Sequence, residues 1–279
     1  MKLGFRAAPI IALVSILCVA PVALTWAPSA ERLITTKAVD ILPDEVRSYF
    51  EGNRQFLVQH VLDPIEAAQK NPTLAHNRFI RFEKYGVYPY ADLPRDYRVA
   101  AYKYSKRTLD TNGLLPWSVG LWSQKLTDAF RAHNWEDARE AAAQLAFYVA
   151  EAHDPFATTT NFDGHLSGQT GVDSRFGSSL IDRYSQFFYI RPNQPAYIQD
   201  PTDHAFEMCL SAHSWIENVL LSDRRSRATL SDYTDEYYDR FYSQAGAVLV
   251  RQIADASTDV ASYWLTAWVN AGKPQLPSR

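Results

Sequence analysis

The sequence predicts an all-α protein, and three observations carry that expectation. Glycine is sparse, with 11 residues in 279, while 16 tyrosines and 7 tryptophans supply large packing groups. Apolar residues recur at helical rather than alternating spacing through most of the chain. The segment Trp135 to Ala152 is alanine-rich, acidic at its start and free of glycine and proline, which are the marks of a strong helix.

The elements follow in order. Ser29 to Leu42 opens on a candidate serine cap and carries Leu33, Ile34, Ala38 and Ile41 at helical spacing before Pro43 stops it. Asp44 to His60 places Val46, Phe50 and Leu57 on one face, continued by Val61. Asn71 to Pro94, punctuated by Pro72, Gly86, Pro89 and Pro94, reads as structured loop. A helix is expected from Pro116 to about Arg131, then the Trp135 helix. Asp154 to Gly177 is polar, glycine-rich and aperiodic, a long loop of the kind that usually serves function. Helices are expected again at Ser178 to Tyr189, Asp203 to Leu221, Tyr233 to Ala256 and Thr258 to Ala271, with Ser222 to Asp235 as a solvated link. No internal repeat or linker divides the chain, so one helical domain is expected over residues 26–279.

The N-terminus reads as an export signal over residues 1–25. Lys2 and Arg6 precede an apolar run from Ala7 to Leu24, the order of a secretory signal peptide. Cleavage is expected between Ala23 and Ala30, with the bond before Trp26 as one candidate, giving a periplasmic or secreted protein. A retained membrane anchor is the alternative, disfavoured by Pro9 and Pro21 and by a length at the short end of a span.

Composition excludes several classes. With 47% hydrophobic and 21% charged residues the chain is neither disordered nor low in complexity. A formal charge of −3 gives no general attraction to nucleic acid or anionic membranes. Two cysteines, Cys18 and Cys209, cannot build a disulfide framework. No Gly-x-Ser-x-Gly elbow, phosphate loop or dinucleotide fingerprint is present. Ordinary hydrogen bonding or capping is the default role for the 7 histidines.

The run from Leu145 through Ala-His153-Asp154-Pro155-Phe-Ala157 to Asn161-Phe162 resembles the core motif of the zinc-dependent phospholipase C family, which includes the fungal single-strand nucleases. Trp26 before a helix, the segment Arg78 to Gly86, Leu115-Pro116-Trp117 and Tyr263-Trp264 with Trp268 extend the resemblance over essentially the whole mature chain. It implies a helical fold of that type. It also implies a cluster of about three zinc ions, which would make bound water acidic and stabilise charge on a phosphodiester.

The residues at the implied ligand positions depart from that pattern. Carried over one by one, they are Trp26 (through its amino group), Glu31, Arg81, Phe147 with Glu151, Ala157, and Asp173 with Gly177; Ser118 is a poorer match for a further histidine. Phe147, Ala157 and Gly177 offer no ligand atom, and Arg81 is a fixed cation. The expectation is therefore a non-catalytic relative with no cofactor. Its old cleft, at Arg81, Phe147, Ala157 and Asn161, would bind a phosphate-bearing small molecule or lipid head group, or serve as a scaffold. Trp26, Glu31, Glu151 and Asp173 are the remnant candidates for zinc or another divalent ion. A structural ion pair, with Arg81 supplying the lost positive charge to the carboxylates, is preferred to that remnant site. The alternatives are a residual metal-dependent phosphodiester hydrolase and a structural partner of another envelope protein. No nucleic-acid partner is expected.

Overall fold

The computed structural model describes residues 26–277, and the expected signal peptide lies outside them. Among the described residues the secondary structure is helical and no strand occurs. The helices are α1 Pro28–Asp40, α2 Asp44–Gly52, α3 Arg54–His60, α4 Asp63–Lys70, α5 Tyr97–Tyr104, α6 Lys106–Asn112, α7 Leu115–Arg131 and α8 Trp135–Ala152. There follow α9 Val172–Ser174, α10 Leu180–Tyr184, α11 Pro201–His213, α12 Ile216–Arg227 and α13 Asp235–Asn270.

The centre is built from α7, α8 and α13, with α1 laid on α13 and α11 on α7. Alanine explains how α8 comes to lie there. Ala138, Ala141, Ala142, Ala146 and Ala150 are buried, and their small side chains let neighbouring helices approach. Two tryptophans fill the space and satisfy their indole N–H groups on the same helix: Trp26 Nε1 donates to the Ala150 carbonyl at 2.9 Å and Trp264 Nε1 to that of Ala142 at 3.0 Å. Trp264 also stacks on Phe50 with ring centres 4.6 Å apart. Between α7 and α11 the approach is closer still, since a Cβ on Gly120 would sit 2.2 Å from Thr202 Oγ1.

Several expected boundaries shift. The Asp44 helix breaks at Asn53 into α2 and α3. The Asp203 helix ends at His213, and α12 begins at Ile216 and continues to Arg227. The first half of the expected solvated link is therefore helix, and Asp223 within it is buried. The helix expected from Ser178 starts earlier, at Val172, and passes through a π-helical turn at Arg175–Ser179. The two helices expected after Tyr233 are one, α13, because nothing near Ser257 breaks it.

Residues 188–200 form an extended strap along α13. Its amides at Asn193, Ala196 and Ile198 donate to the hydroxyls of Thr258, Ser262 and Thr266 at 2.9, 3.1 and 2.9 Å. Those hydroxyls recur every fourth residue, so they form one row on the helix.

Candidate functional site

The site is assembled around the segment from Arg78 to Arg81, which is extended at Phe79 between two 3₁₀ turns. Its backbone is held on both sides. Ile80 donates to the Ala157 carbonyl at 2.8 Å, Arg81 to that of Asn112 at 2.7 Å, and Leu115 donates back to Phe79 at 3.1 Å. Gly113 makes this threading feasible: its φ is +95°, and a Cβ there would lie 2.0 Å from the Phe79 oxygen.

Because the backbone between them is extended, Arg78 and Arg81 have different surroundings. Arg78 is buried, and its Nη2 lies 3.2 Å from Glu151 Oε1. Its guanidinium is 5.2 Å from the Phe147 ring centre, one helical turn before Glu151 on α8. Arg81 turns away. Its Nη1 donates to the carbonyls of Phe156 at 3.2 Å and Thr159 at 2.7 Å, and its guanidinium lies between the rings of Phe79 and Phe162 at 4.2 and 4.6 Å. Burial lowers its pKa to about 10, against the opposing influence of Glu83, Asp154 and Asp163. The expected pairing of Arg81 with the carboxylates is thus corrected: Arg78 makes the ion pair with Glu151.

Around that pair the acids are enclosed. Glu31, Phe147, Glu151, Asp154 and Ala157 are each at most 1% exposed. Neither carboxyl oxygen of Glu31 has a hydrogen-bond partner among the described residues, nor do Nε and Nη1 of Arg78. Burial drives the Glu31 pKa well above the usual carboxyl range, the negative charge of Glu151 adds to this, and Arg78 opposes it. Asp154 is raised likewise, first by burial and then by Glu151, although its Oδ1 accepts the Phe156 amide at 2.7 Å. Both are therefore pushed toward the neutral acid, as burial among other carboxyls favours.

The remaining expected residues differ in their surroundings. Asp173 is buried and its pKa is raised, mainly by burial, with Asp163 adding to it. Gly177 takes part through its backbone, accepting the Ala27 amide at 2.9 Å next to the buried Trp26. Asn161 is spent inside its own loop: Oδ1 accepts from the Leu166 amide at 2.8 Å and Nδ2 donates to Ser167 Oγ at 3.1 Å. Ser118 hydrogen bonds to the Leu114 carbonyl at 3.0 Å and faces a cleft of about 560 Å³ shared with Asn77 and Trp117. The structure thus brings Trp26, Glu31, Phe147, Glu151, Ala157, Asp173 and Arg81 into one region. Arg78 and Asp154 belong there too, and sequence reasoning missed both as site residues.

The residues present do not fit a trinuclear zinc cluster. A guanidinium stands among the carboxyls, Phe147 and Ala157 offer no ligand atom, and the cluster is closed to solvent. Among the described residues no group of three or more His, Cys, Asp or Glu side chains is arranged to hold a metal ion.

Two histidine assemblies lie beside this region. His153 and His204 approach the two oxygens of Asp259 through Nε2, each at 2.9 Å. His213 sits between the Thr158 carbonyl, 3.1 Å from Nδ1, and the Tyr90 hydroxyl, 2.9 Å from Nε2. Nδ1 is therefore the donor, Nε2 accepts from Tyr90, and burial lowers the imidazole pKa. A histidine reads the same in sequence whether or not such partners exist.

No protein-family model matches this chain, and none of the curated proteins is detectably similar to it.

Proposed function

We propose that the chain is an exported, non-catalytic protein of the zinc-dependent phospholipase C type, acting as a scaffold or binding module. The observation that carries this reading is the buried Arg78–Glu151 pair, which provides a fixed positive charge in the region where the resemblance implies ions. Such a cation offsets carboxyl burial without chemistry, and removing water access leaves no route for a substrate. The test is metal content of the purified mature protein, prepared without added zinc, together with hydrolysis of a chromogenic phosphodiester. Substoichiometric metal and no chelator-sensitive turnover are expected. Bound metal with chelator-sensitive hydrolysis would establish the residual hydrolase instead.

A second reading is recognition of a phosphate or lipid head group at Arg81. It is favoured by the way two rings and two carbonyls fix that guanidinium while leaving it only partly buried. A fixed guanidinium suits phosphate oxygens; the nearby Glu83 and Asp163 oppose an anion. Stabilisation against heat by phosphorylcholine or inorganic phosphate, lost in Arg81→Ala, would support it. No shift with either compound would leave the scaffold reading alone.

A further inference from the structure

A cleft of about 660 Å³ lies between α3 and the α7–α8 hairpin, apart from the cluster above. Its aromatic walls are Phe56 and Trp122. Phe56 is fixed, stacked on His60 at 4.1 Å with the Arg139 guanidinium 4.5 Å from its ring centre. Trp122 has Tyr148 stacked near it, ring centres 6.3 Å apart, and the ammonium of Lys125 lies 3.8 Å from its own ring centre.

The same cleft is lined by four carboxylates, Asp63, Asp128, Asp137 and Glu140, and by the ammonium of Lys125, with the guanidinium groups of Arg131 and Arg139 at Asp128 and Phe56. Three have local partners: His60 for Asp63, Arg131 and Gln124 for Asp128, and Asn134 for Asp137. Glu140 is exposed, and Ala129 and Ala141 add buried apolar surface between these charges. Aromatic faces, small apolar side chains and carboxylates in one cleft suit a ligand that alternates methylene segments with ammonium groups. Lys125 is itself such a group, a methylene stem ending in an ammonium, and it occupies the tryptophan face.

We infer that this cleft binds a linear aliphatic polyamine, with one ammonium taking the place of Lys125 on Trp122 and the others facing the carboxylates. In this arrangement Lys125 is an internal competitor. The inference is independent of the phospholipase-like reading, since none of the residues at the implied zinc positions lines the cleft.

The experiment is calorimetric titration of the mature chain with spermidine, at fixed ionic strength, for the wild type, Lys125→Gln and Glu140→Gln. Both substitutions are at exposed positions. Saturable binding is expected in the wild type. Lys125→Gln should tighten it by about two- to fivefold, because the ring is vacated and a repulsive charge removed. Glu140→Gln should weaken it, and magnesium at equal charge should fail to displace spermidine, having no methylene chain to lay on the ring. Absence of saturable binding in both the wild type and Lys125→Gln would overturn the inference. So would binding that Lys125→Gln leaves unchanged or weakens, or full displacement by magnesium, which would mean diffuse charge attraction only.

Discussion

Arg78 and Glu151 meet at 3.2 Å with both side chains buried, while beside them both carboxyl oxygens of Glu31 stand without a hydrogen-bond partner among the described residues. The Arg78 guanidinium thus pairs with Glu151 and opposes the burial of Glu31, in a cluster of three buried acids with Asp154, and Glu31 and Asp154 have strongly raised pKa values. Desolvation of an ion pair is costly, so the pair need not stabilise the fold relative to apolar packing. Its removal from one side, however, leaves an uncompensated buried charge.

Arg78→Met is therefore expected to destabilise the protein by about 3–5 kcal/mol. The double variant Arg78→Met, Glu151→Gln should recover a substantial part of that loss, because no lone charge remains. Urea unfolding of the two variants and the wild type checks this. A double variant as unstable as Arg78→Met would show that packing around Arg78, rather than its charge, is what matters.

How much of this was legible in the sequence differs from element to element. The α8 helix is legible from Trp135 to Ala152 because alanine, an acidic first turn and the absence of breakers all agree there. The break at Asn53 was not legible, since the apolar spacing of α2 continues into α3. Glu31, Phe147, Glu151, Ala157 and Asp173 converge as expected, whereas the arginine that pairs with the acids is three residues earlier than expected. That choice depends on the extended backbone at Phe79, which directs the two guanidinium groups differently. Asp223 looked solvated amid polar neighbours, yet it accepts from Gln169, Arg175 and Tyr237 in the interior. Such partnerships are long-range, and no local pattern encodes them.

Gly113 is a test of the threading that creates the site. At φ +95° an alanine would already be strained, and its Cβ would meet the Phe79 carbonyl at 2.0 Å. Gly113→Ala should cost at least about 2 kcal/mol. Thermal unfolding measures the cost, and faster amide exchange at Leu115, whose N–H binds that carbonyl, would localise it.

The His153–Asp259–His204 assembly predicts a pH dependence. The hydrogen bond to Asp259 is the largest cause of the raised His204 pKa, with Glu207 and Asp203 adding charge and burial opposing. A raised folded pKa means that folding favours the imidazolium. The contribution is fully present below the unfolded value of 6.5 and is lost as pH rises through the higher folded pKa. Asp259→Asn should lower the His204 titration midpoint seen by NMR and flatten the decline of unfolding free energy between pH 6.5 and the wild-type midpoint. An unchanged midpoint would show that Asp259 does not hold the proton there.

The strap along α13 gives a prediction that separates its anchors. Thr258, Ser262 and Thr266 each accept one strap amide, and Thr258 and Ser262 also donate to carbonyls one turn back at 2.9 and 2.8 Å. Removing a hydroxyl should cost about 1 kcal/mol per site, the net worth of an ordinary hydrogen bond plus part of the penalty for the stranded amide. Ser262→Ala should therefore speed exchange of the Ala196 amide while leaving that of Ile198, held by Thr266, close to its wild-type rate. Thr266→Val, which keeps the branched shape, should do the reverse. If either substitution loosened both amides equally, the strap would be opening as one unit, and the three hydroxyls would have to be read as a single cooperative anchor rather than independent ones.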